Sequence, residues 1–139
     1  MKTKIVYATA LGNSKTIAEK IGVKLRIEVQ NVSEFSVSNA IDTLIIVGGI
    51  YGGKSKKDLK EFVNSLNPAD VKRVAVITSS GAGERRTTPA EIVGLLRNKN
   101  INVLGELNIR GRAFIFPTGH PNEEDFKNAK EWAEKIIMS

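Results

Sequence analysis

The stretch that decides the fold is residues 4–25, which read KIVYATALGNSKTIAEKIGVKL. Residues 4–8 have the β-branched and aromatic content of a strand buried in a parallel sheet. Apolar residues then recur at helical spacing, so a helix is predicted to begin at about Ser14. The apolar positions of this helix are Ile17, Ala18, Ile21 and Leu25. The pattern therefore predicts a strand, a short turn and a helix in immediate succession.

The turn between this strand and helix, residues 9–14, consists mostly of small or hydroxylic residues, with one Gly and one Asn. Such a turn can direct several backbone N–H groups and hydroxyls at one point. That point lies at the positive end of the helix, where an anionic phosphate binds best. The turn is therefore a candidate phosphate-binding loop.

The rest of the chain also alternates between strands and helices. Further strands are predicted at residues 25–32 (an edge strand), 42–49, 71–78 and 102–109. Three further helices are predicted from apolar stripes. The first covers residues 59–66 and is ended by Asn67-Pro68. The second has its apolar stripe at residues 92–96, with Thr88 as N-cap and Pro89 at the first helical position, and the third has its stripe at residues 126–136 and is capped by Asn122. This order predicts a single α/β domain, residues 1–139, in which helices cover both faces of a parallel sheet.

Three loops are predicted to meet at the carboxyl-terminal edge of this sheet, where such folds bind their ligands. They are residues 9–14, 48–54 and 78–86, and all three are rich in Gly, Ser or Thr. Because all three share this composition, we expect one binding site formed by the three loops together.

The composition argues against several classes of function. Cysteine is absent, which excludes disulfides, thiolate metal sites and cysteine nucleophiles. The first strand follows the start of the chain at once and no apolar run approaches the ~20 residues of a membrane span, so a cytoplasmic protein that does not bind membranes is expected. The net charge of +6 would suit nucleic acid. However, no nucleic-acid motif is present and only 6% of residues are aromatic, so no nucleic-acid partner is expected.

The sequence contains no recognisable hydrolytic set, neither Ser-His-Asp nor a pair of carboxylates. No catalytic residue and no metal site are therefore predicted. His120 is the only histidine, and a structural role is favoured for it over a catalytic one. Trp132, on the apolar stripe of the last helix, is predicted to belong to the core.

Residues 48–55, GGIYGGKS, match the P-loop pattern G-x-x-x-x-G-K-[ST]. A P-loop enzyme also needs an apolar strand that ends in Asp to hold Mg²⁺. The apolar run at residues 74–77 ends in Thr78, and that at residues 114–116 ends in Pro117. Neither residue offers a carboxylate, so a nucleotide triphosphatase is the weakest of the functions considered.

The first loop resembles the phosphate loop T-x-T-G-N-T of the flavodoxins, and the resemblance extends over essentially the whole chain. The loop with Tyr51 falls where that family places an aromatic residue against the isoalloxazine ring. Residues 79–83 fall at its third flavin-contacting loop, and residues 119–126 look like the start of its last helix. The resemblance implies a flavodoxin-like three-layer α/β/α sandwich with a five-stranded parallel sheet of order 2-1-3-4-5, and noncovalently bound FMN.

The cofactor-binding residues that the resemblance implies are Thr9, Ala10, Leu11, Gly12, Asn13 and Ser14 in the first loop, Gly49, Ile50, Tyr51 and Gly52 in the second, and Ser79, Ser80, Gly81 and Gly83 in the third. The hydroxyls of Thr9 and Ser14, the Asn13 amide and backbone N–H groups from residue 11 to residue 15 would hold the phosphate. Ser14 could alternatively be a simple helix N-cap. Ala10 and Leu11 replace residues that are often hydroxylic or polar in the family, so two hydrogen bonds are lost.

The second loop would contact the flavin ring. Tyr51 is expected to stack on it, while backbone groups of Gly49, Ile50 and Gly52 approach its N5 edge. Glycine at this point tolerates the positive φ of a peptide flip. The third loop contains no second aromatic, so one side of the ring would be covered by small residues.

Seven basic residues are expected to lie around the flavin: Lys54, Lys56, Lys57, Arg85, Arg86, Arg110 and Arg112. Only Asp58 and Glu84 oppose them nearby. Positive charge near a flavin favours its reduced, anionic form. This charge predicts an acidic redox partner protein or a small anionic acceptor. The alternative is that these residues form a solvated basic surface with no role in binding.

The function implied is electron transfer through FMN, as an electron carrier rather than a substrate-specific enzyme. One alternative is a small FMN-dependent oxidoreductase that acts on a quinone-like acceptor. Another is a flavodoxin-fold binding module that has lost its flavin.

Overall fold

Five parallel strands form the centre of the computed structural model, which describes residues 2–9, 12–37, 39–51, 54–81, 88–111 and 119–139. The elements in chain order are β1 (Thr3–Ala8), α1 (Asn13–Leu25), β2 (Val29–Asn31), β3 (Ile41–Tyr51), β4 (Lys54–Ser55), α2 (Lys57–Ser65), β5 (Val71–Ser80), α3 (Glu91–Asn98), β6 (Asn102–Arg110) and α4 (Glu123–Ile137).

The sheet order is β2-β1-β3-β5-β6, and all these neighbours are parallel. Numbered among themselves, the five parallel strands have the predicted order 2-1-3-4-5, so the predicted fold class is confirmed. The sequence did not predict β4, a two-residue strand that pairs antiparallel with the end of β3. The predicted edge strand is also shorter than expected: α1 continues to Leu25, and only Val29–Asn31 pair with β1.

Alternate residues of the central strands face two separate cores. In β3, Ile45 and Val47 pack with α1 and α4, whereas Leu44 and Ile46 pack with α2 and α3. All four side chains are 0% exposed. Burial on both faces explains why this strand is a continuous apolar run rather than an alternating one. The helices thereby form the two outer layers of a sandwich.

Gly22 allows α1 to pack closely against β2. A Cβ at this position would clash with the Val29 side chain and would lie 2.8 Å from the backbone oxygen of Ile27. The helix ends directly afterwards, with Arg26 at φ 58 and its N–H donating to the Gly22 carbonyl. Glycine here is therefore required by packing rather than by its own backbone angles.

The start of α3 differs from the prediction that Thr88 is the N-cap and Pro89 lies in the first turn. The helix begins at Glu91 with Ala90 as N-cap, and Ala90 has no side-chain group to offer. Instead, Glu106 on β6 accepts the Ala90 N–H at 3.0 Å through one carboxylate oxygen. Its other oxygen lies 3.2 Å from the Thr78 hydroxyl. The cap thus comes from a neighbouring strand, which local sequence signals do not reveal.

The start of α4 agrees with the prediction. The Asn122 side chain accepts the Asp125 N–H at 2.9 Å, and Asp125 accepts the Asn122 N–H at 2.8 Å, which completes a capping box. His120 Nδ1 lies 2.6 Å from the same Asp125 carboxylate. His120 therefore contributes to the start of a helix, as its predicted structural role requires. Trp132 packs against the core between α1, α4 and the sheet.

The opposite, amino-terminal edge of the sheet is held by Asp42. The Lys2 backbone N–H, 2.8 Å from the Asp42 carboxylate, lowers the pKa of that group, and the Lys72 ammonium at 3.4 Å lowers it further. These contacts lie at the far end of the strands from the three predicted loops. Among the described residues, no helix is both long and apolar enough to cross a membrane.

Candidate cofactor site

The first predicted loop lies between β1 and α1, and its described residues are 9 and 12–14. The Thr9 hydroxyl accepts the Gly12 N–H at 2.8 Å. Gly12 is the N-cap of α1, with a left-handed φ of 87 that favours glycine. Ala10 and Leu11, which were also assigned to the phosphate site, lie outside the described residues.

Ser14 lies inside the first turn of α1 and is 0% exposed. Its hydroxyl oxygen is buried and has no hydrogen-bond partner among the residues that the structure describes. Because Gly12 occupies the N-cap position, the alternative role of Ser14 as a helix cap is wrong. An unpaired buried hydroxyl costs about 1–3 kcal/mol, so an acceptor that binds here would remove this penalty.

The surroundings of Ser14 suit an anion. The first backbone N–H of α1 with a partner inside the helix is that of Thr16, which donates to the Gly12 carbonyl at 3.1 Å. The N–H groups of the preceding first-turn residues are those that a helix leaves for external acceptors. The first turn contains no acidic residue, and Lys15 is exposed beside it. The described residues of this loop therefore fit a phosphate group.

The second predicted loop is part of an antiparallel hairpin. Ile50 pairs with Ser55, and Tyr51 pairs with Lys54, while α2 begins only at Lys57. In a P-loop the Gly-Lys-Ser/Thr residues open the helix directly, so the match of residues 48–55 does not form that structure. The backbone of Tyr51 ends β3, but its side chain and Gly52 lie outside what is described. Stacking by Tyr51 therefore stays a prediction.

The ends of β3 and β5 place the second and third loops side by side. Gly49 pairs with Ser79 in the ladder, and Ser80 is the last residue of β5. Ser79 and Ser80 are only 4% and 7% exposed. Gly81 follows at once, and Gly83 lies outside the described residues.

Gly111 brings the first and third loops together, although the sequence analysis did not single it out. Its N–H donates to the Ser80 carbonyl at 2.8 Å. A Cβ on Gly111 would lie 2.9 Å from the Asn13 side-chain nitrogen and 3.4 Å from Ser79 Cβ. The only sequence signal is a glycine directly after a strand. The described parts of the three loops thus lie at one edge of the sheet, as expected.

Four of the seven predicted basic residues are described. Lys56 Nζ donates to the Thr9 carbonyl at 3.2 Å and lies 3.3 Å from the Asp58 carboxylate. Lys54 is exposed, and Lys57 lies 3.9 Å from Glu61. The Nε of Arg110 is buried and has no hydrogen-bond partner within the described residues. Glu84, Arg85, Arg86 and Arg112 lie outside the described residues.

Comparison with known proteins identifies the family. The family described as "Flavodoxin domain" matches residues 4–105. The chain is 28% identical over 151 residues to "Uncharacterized protein MJ0298" of Methanocaldococcus jannaschii, with 100% of both chains covered.

Among solved structures, the chain is similar in fold to a flavodoxin from the domain Archaea (TM-score 0.69, 18% identity, 99% of each chain covered). It is also similar to oxidised Flavodoxin 2 from Bacillus cereus (TM-score 0.66, 22% identity, 99% of each chain). A Fusobacterium nucleatum flavodoxin mutant bound to flavin mononucleotide has a TM-score of 0.67 at 14% identity, with 99% of this chain and 95% of that chain covered. Since the family match spans most of its length, the chain belongs to the flavodoxin family.

Proposed function

We propose that this protein binds FMN noncovalently at the carboxyl-terminal edge of its sheet and serves as an electron-transfer protein. The observation that carries the proposal is the buried Ser14 hydroxyl at the amino-terminal end of α1, for which the described part of the chain supplies no hydrogen-bond partner. A phosphate monoester supplies the acceptor that this hydroxyl and the neighbouring N–H groups lack. Family membership and the FMN-bound Fusobacterium relative support the same ligand.

The chain's own residues would bind and orient the cofactor, while FMN itself supplies the redox chemistry when bound. Ser14 would donate its O–H to the phosphate, together with the first-turn N–H groups of α1. Gly49 and Ile50 of the second loop and Ser79 and Ser80 of the third would line the ring site. These four residues lie in β3 and β5, near the carboxyl ends of the strands, and are buried.

Flavin uptake by the purified protein tests this proposal directly. We expect FMN to bind with an absorbance band near ~450 nm and with quenched flavin fluorescence. ATP serves as the control ligand, because the hairpin at residues 50–55 excludes the P-loop reading; no ATP hydrolysis is expected. Protein that remains colourless after incubation with excess FMN would reject the proposal and favour a flavin-free binding module.

We further propose that the redox partner is an acidic protein. Lys54, the last residue of the second loop, is exposed, and the Lys57 side chain, three residues later, is 89% exposed. Such charges steer an oppositely charged partner, and salt screens the attraction. Flavin reoxidation by acidic candidate proteins should therefore slow by about tenfold between low and physiological ionic strength. A rate that does not depend on salt would contradict steering, and a salt effect seen only with small anions would favour an anionic acceptor.

A further inference from the structure

Lys56 connects two of the three loops. It is the residue immediately before α2, and its ammonium donates to the carbonyl of Thr9, 47 residues earlier in the chain, at 3.2 Å. Thr9 opens the phosphate loop, and its hydroxyl already accepts the Gly12 N–H. Thr9 is therefore held from both sides: by the loop itself and by the start of α2.

The ammonium of Lys56 is fixed in place rather than free in solvent. Asp58 lies 3.3 Å away through one carboxylate oxygen, and its other oxygen accepts the Leu59 N–H at 2.8 Å. The Lys56 side chain is 36% exposed, compared with 89% for neighbouring Lys57. A lysine ammonium has three N–H donors. Among the described residues two acceptors contact it, which leaves one donor for a further acceptor.

The same loop is short of side-chain donors. Ala10 and Leu11 have none, and these two residues follow Thr9 directly. A phosphate monoester is close to doubly charged at neutral pH. A fixed cation beside the loop would supply the attraction that side-chain donors at these two positions would otherwise give.

We propose that Lys56 is a positioning residue for the phosphate loop and makes the site selective for phosphorylated flavin over riboflavin. The inference rests on the proposed FMN function. The bond to Thr9 holds the residue at which the loop begins. The ammonium, whose charge Asp58 partly offsets, favours the dianionic ligand.

The test compares the affinities of FMN and riboflavin for K56M, K56R and the control K57M. For K56M we expect FMN binding to weaken by about tenfold, as for loss of one charge-assisted hydrogen bond. Riboflavin affinity should change by less than about twofold, since riboflavin has no phosphate. K56R, which keeps the charge, should restore most of the FMN affinity. K57M should leave both flavin affinities unchanged, because the Lys57 side chain is 89% exposed and its one ion pair among the described residues is with Glu61.

Hydrogen exchange of the Gly12 amide in the ligand-free protein gives a second readout. Exchange should be about tenfold faster in K56M and unchanged in K57M, because the Gly12 N–H bonds to the Thr9 hydroxyl. The proposed selectivity would be overturned if K56M weakened the binding of FMN and of riboflavin equally, or if K57M weakened FMN binding as much as K56M does. Unchanged Gly12 exchange in K56M would overturn the positioning. If the unchanged protein binds neither flavin while K56M still accelerates Gly12 exchange, the proposed function and the phosphate role fail but the positioning role stands.

Discussion

Replacing Ser14 with alanine is expected to weaken FMN binding by about 10- to 100-fold while the ligand-free protein becomes more stable by up to about 1–3 kcal/mol. The hydroxyl is fully buried and has no hydrogen-bond partner among the described residues, so its removal breaks none of their bonds and removes the cost of burying an unpaired polar group. A hydrogen bond from this hydroxyl to a charged phosphate is worth about 1.5–3 kcal/mol, which gives the expected loss of affinity. Fluorescence titration with FMN measures the affinity, and chemical denaturation without flavin measures the stability.

The control for this prediction is Ser65→Ala. Ser65 ends α2, on the other side of the molecule from the loops, and its hydroxyl donates to the Phe62 carbonyl at 2.6 Å. This change should leave FMN affinity unchanged and lower stability slightly. If Ser14→Ala destabilised the ligand-free protein while FMN affinity stayed the same, the hydroxyl would be a structural group and not a phosphate ligand.

Replacing Gly22 with alanine should lower the free energy of unfolding by about 3 kcal/mol, at the upper end of what overpacking costs. The added methyl group would clash with the Val29 side chain and would lie 2.8 Å from the Ile27 carbonyl oxygen. The backbone oxygen cannot turn away as the end of a long side chain can. The last turn of α1 and β2 would have to move apart, and both border the same core. Urea unfolding, monitored by circular dichroism, measures the effect.

A matched control is Gly94→Ala in α3. No atom lies within 4 Å of a Cβ at this position, and Gly94 is exposed. Alanine is a better helix former than glycine by about 0.5–1 kcal/mol, so this variant should be more stable than the unchanged protein. If Gly22→Ala lowers the free energy of unfolding and Gly94→Ala raises it, the loss at Gly22 is due to packing and not to helix propensity. A change of the same sign in both variants, or a loss of less than about 1 kcal/mol in the free energy of unfolding of Gly22→Ala, would contradict the packing argument.

The central strands could be predicted from sequence because burial on both faces leaves few residue types available. The runs that became β1, β3 and β5 are rich in β-branched residues for this reason. The start of α3 could not be predicted, because its cap is Glu106, a residue that follows the helix in the chain. Propensity rules consider only neighbours in sequence, so Thr88 and Pro89 were the best local candidates.

The candidate site, too, could be predicted only where its residues are close together in sequence. Ser14 followed from the loop motif and the helix that comes after it. The sequence argues against a P-loop enzyme because no apolar strand ends in a carboxylate. The structure adds a different reason, the pairing of Ile50 with Ser55, which the local sequence does not reveal. The contacts of Gly111 with Asn13 and of Lys56 with Thr9 join residues that are distant in sequence. Neither follows from any short pattern, since each depends on which strand ends are neighbours.

The cap that Glu106 provides for α3 also bears on how the protein can change in evolution. Most helices depend on the residues just before them for their first hydrogen bonds, so a loop that precedes a helix is constrained in composition. Here the Ala90 N–H is accepted by the carboxylate of Glu106 on β6, and Ala90 itself offers no side-chain cap. The constraint on the start of α3 therefore falls on a residue of the sheet. A substitution at position 90 that leaves the backbone in place can keep this hydrogen bond, whereas a substitution of Glu106 removes it.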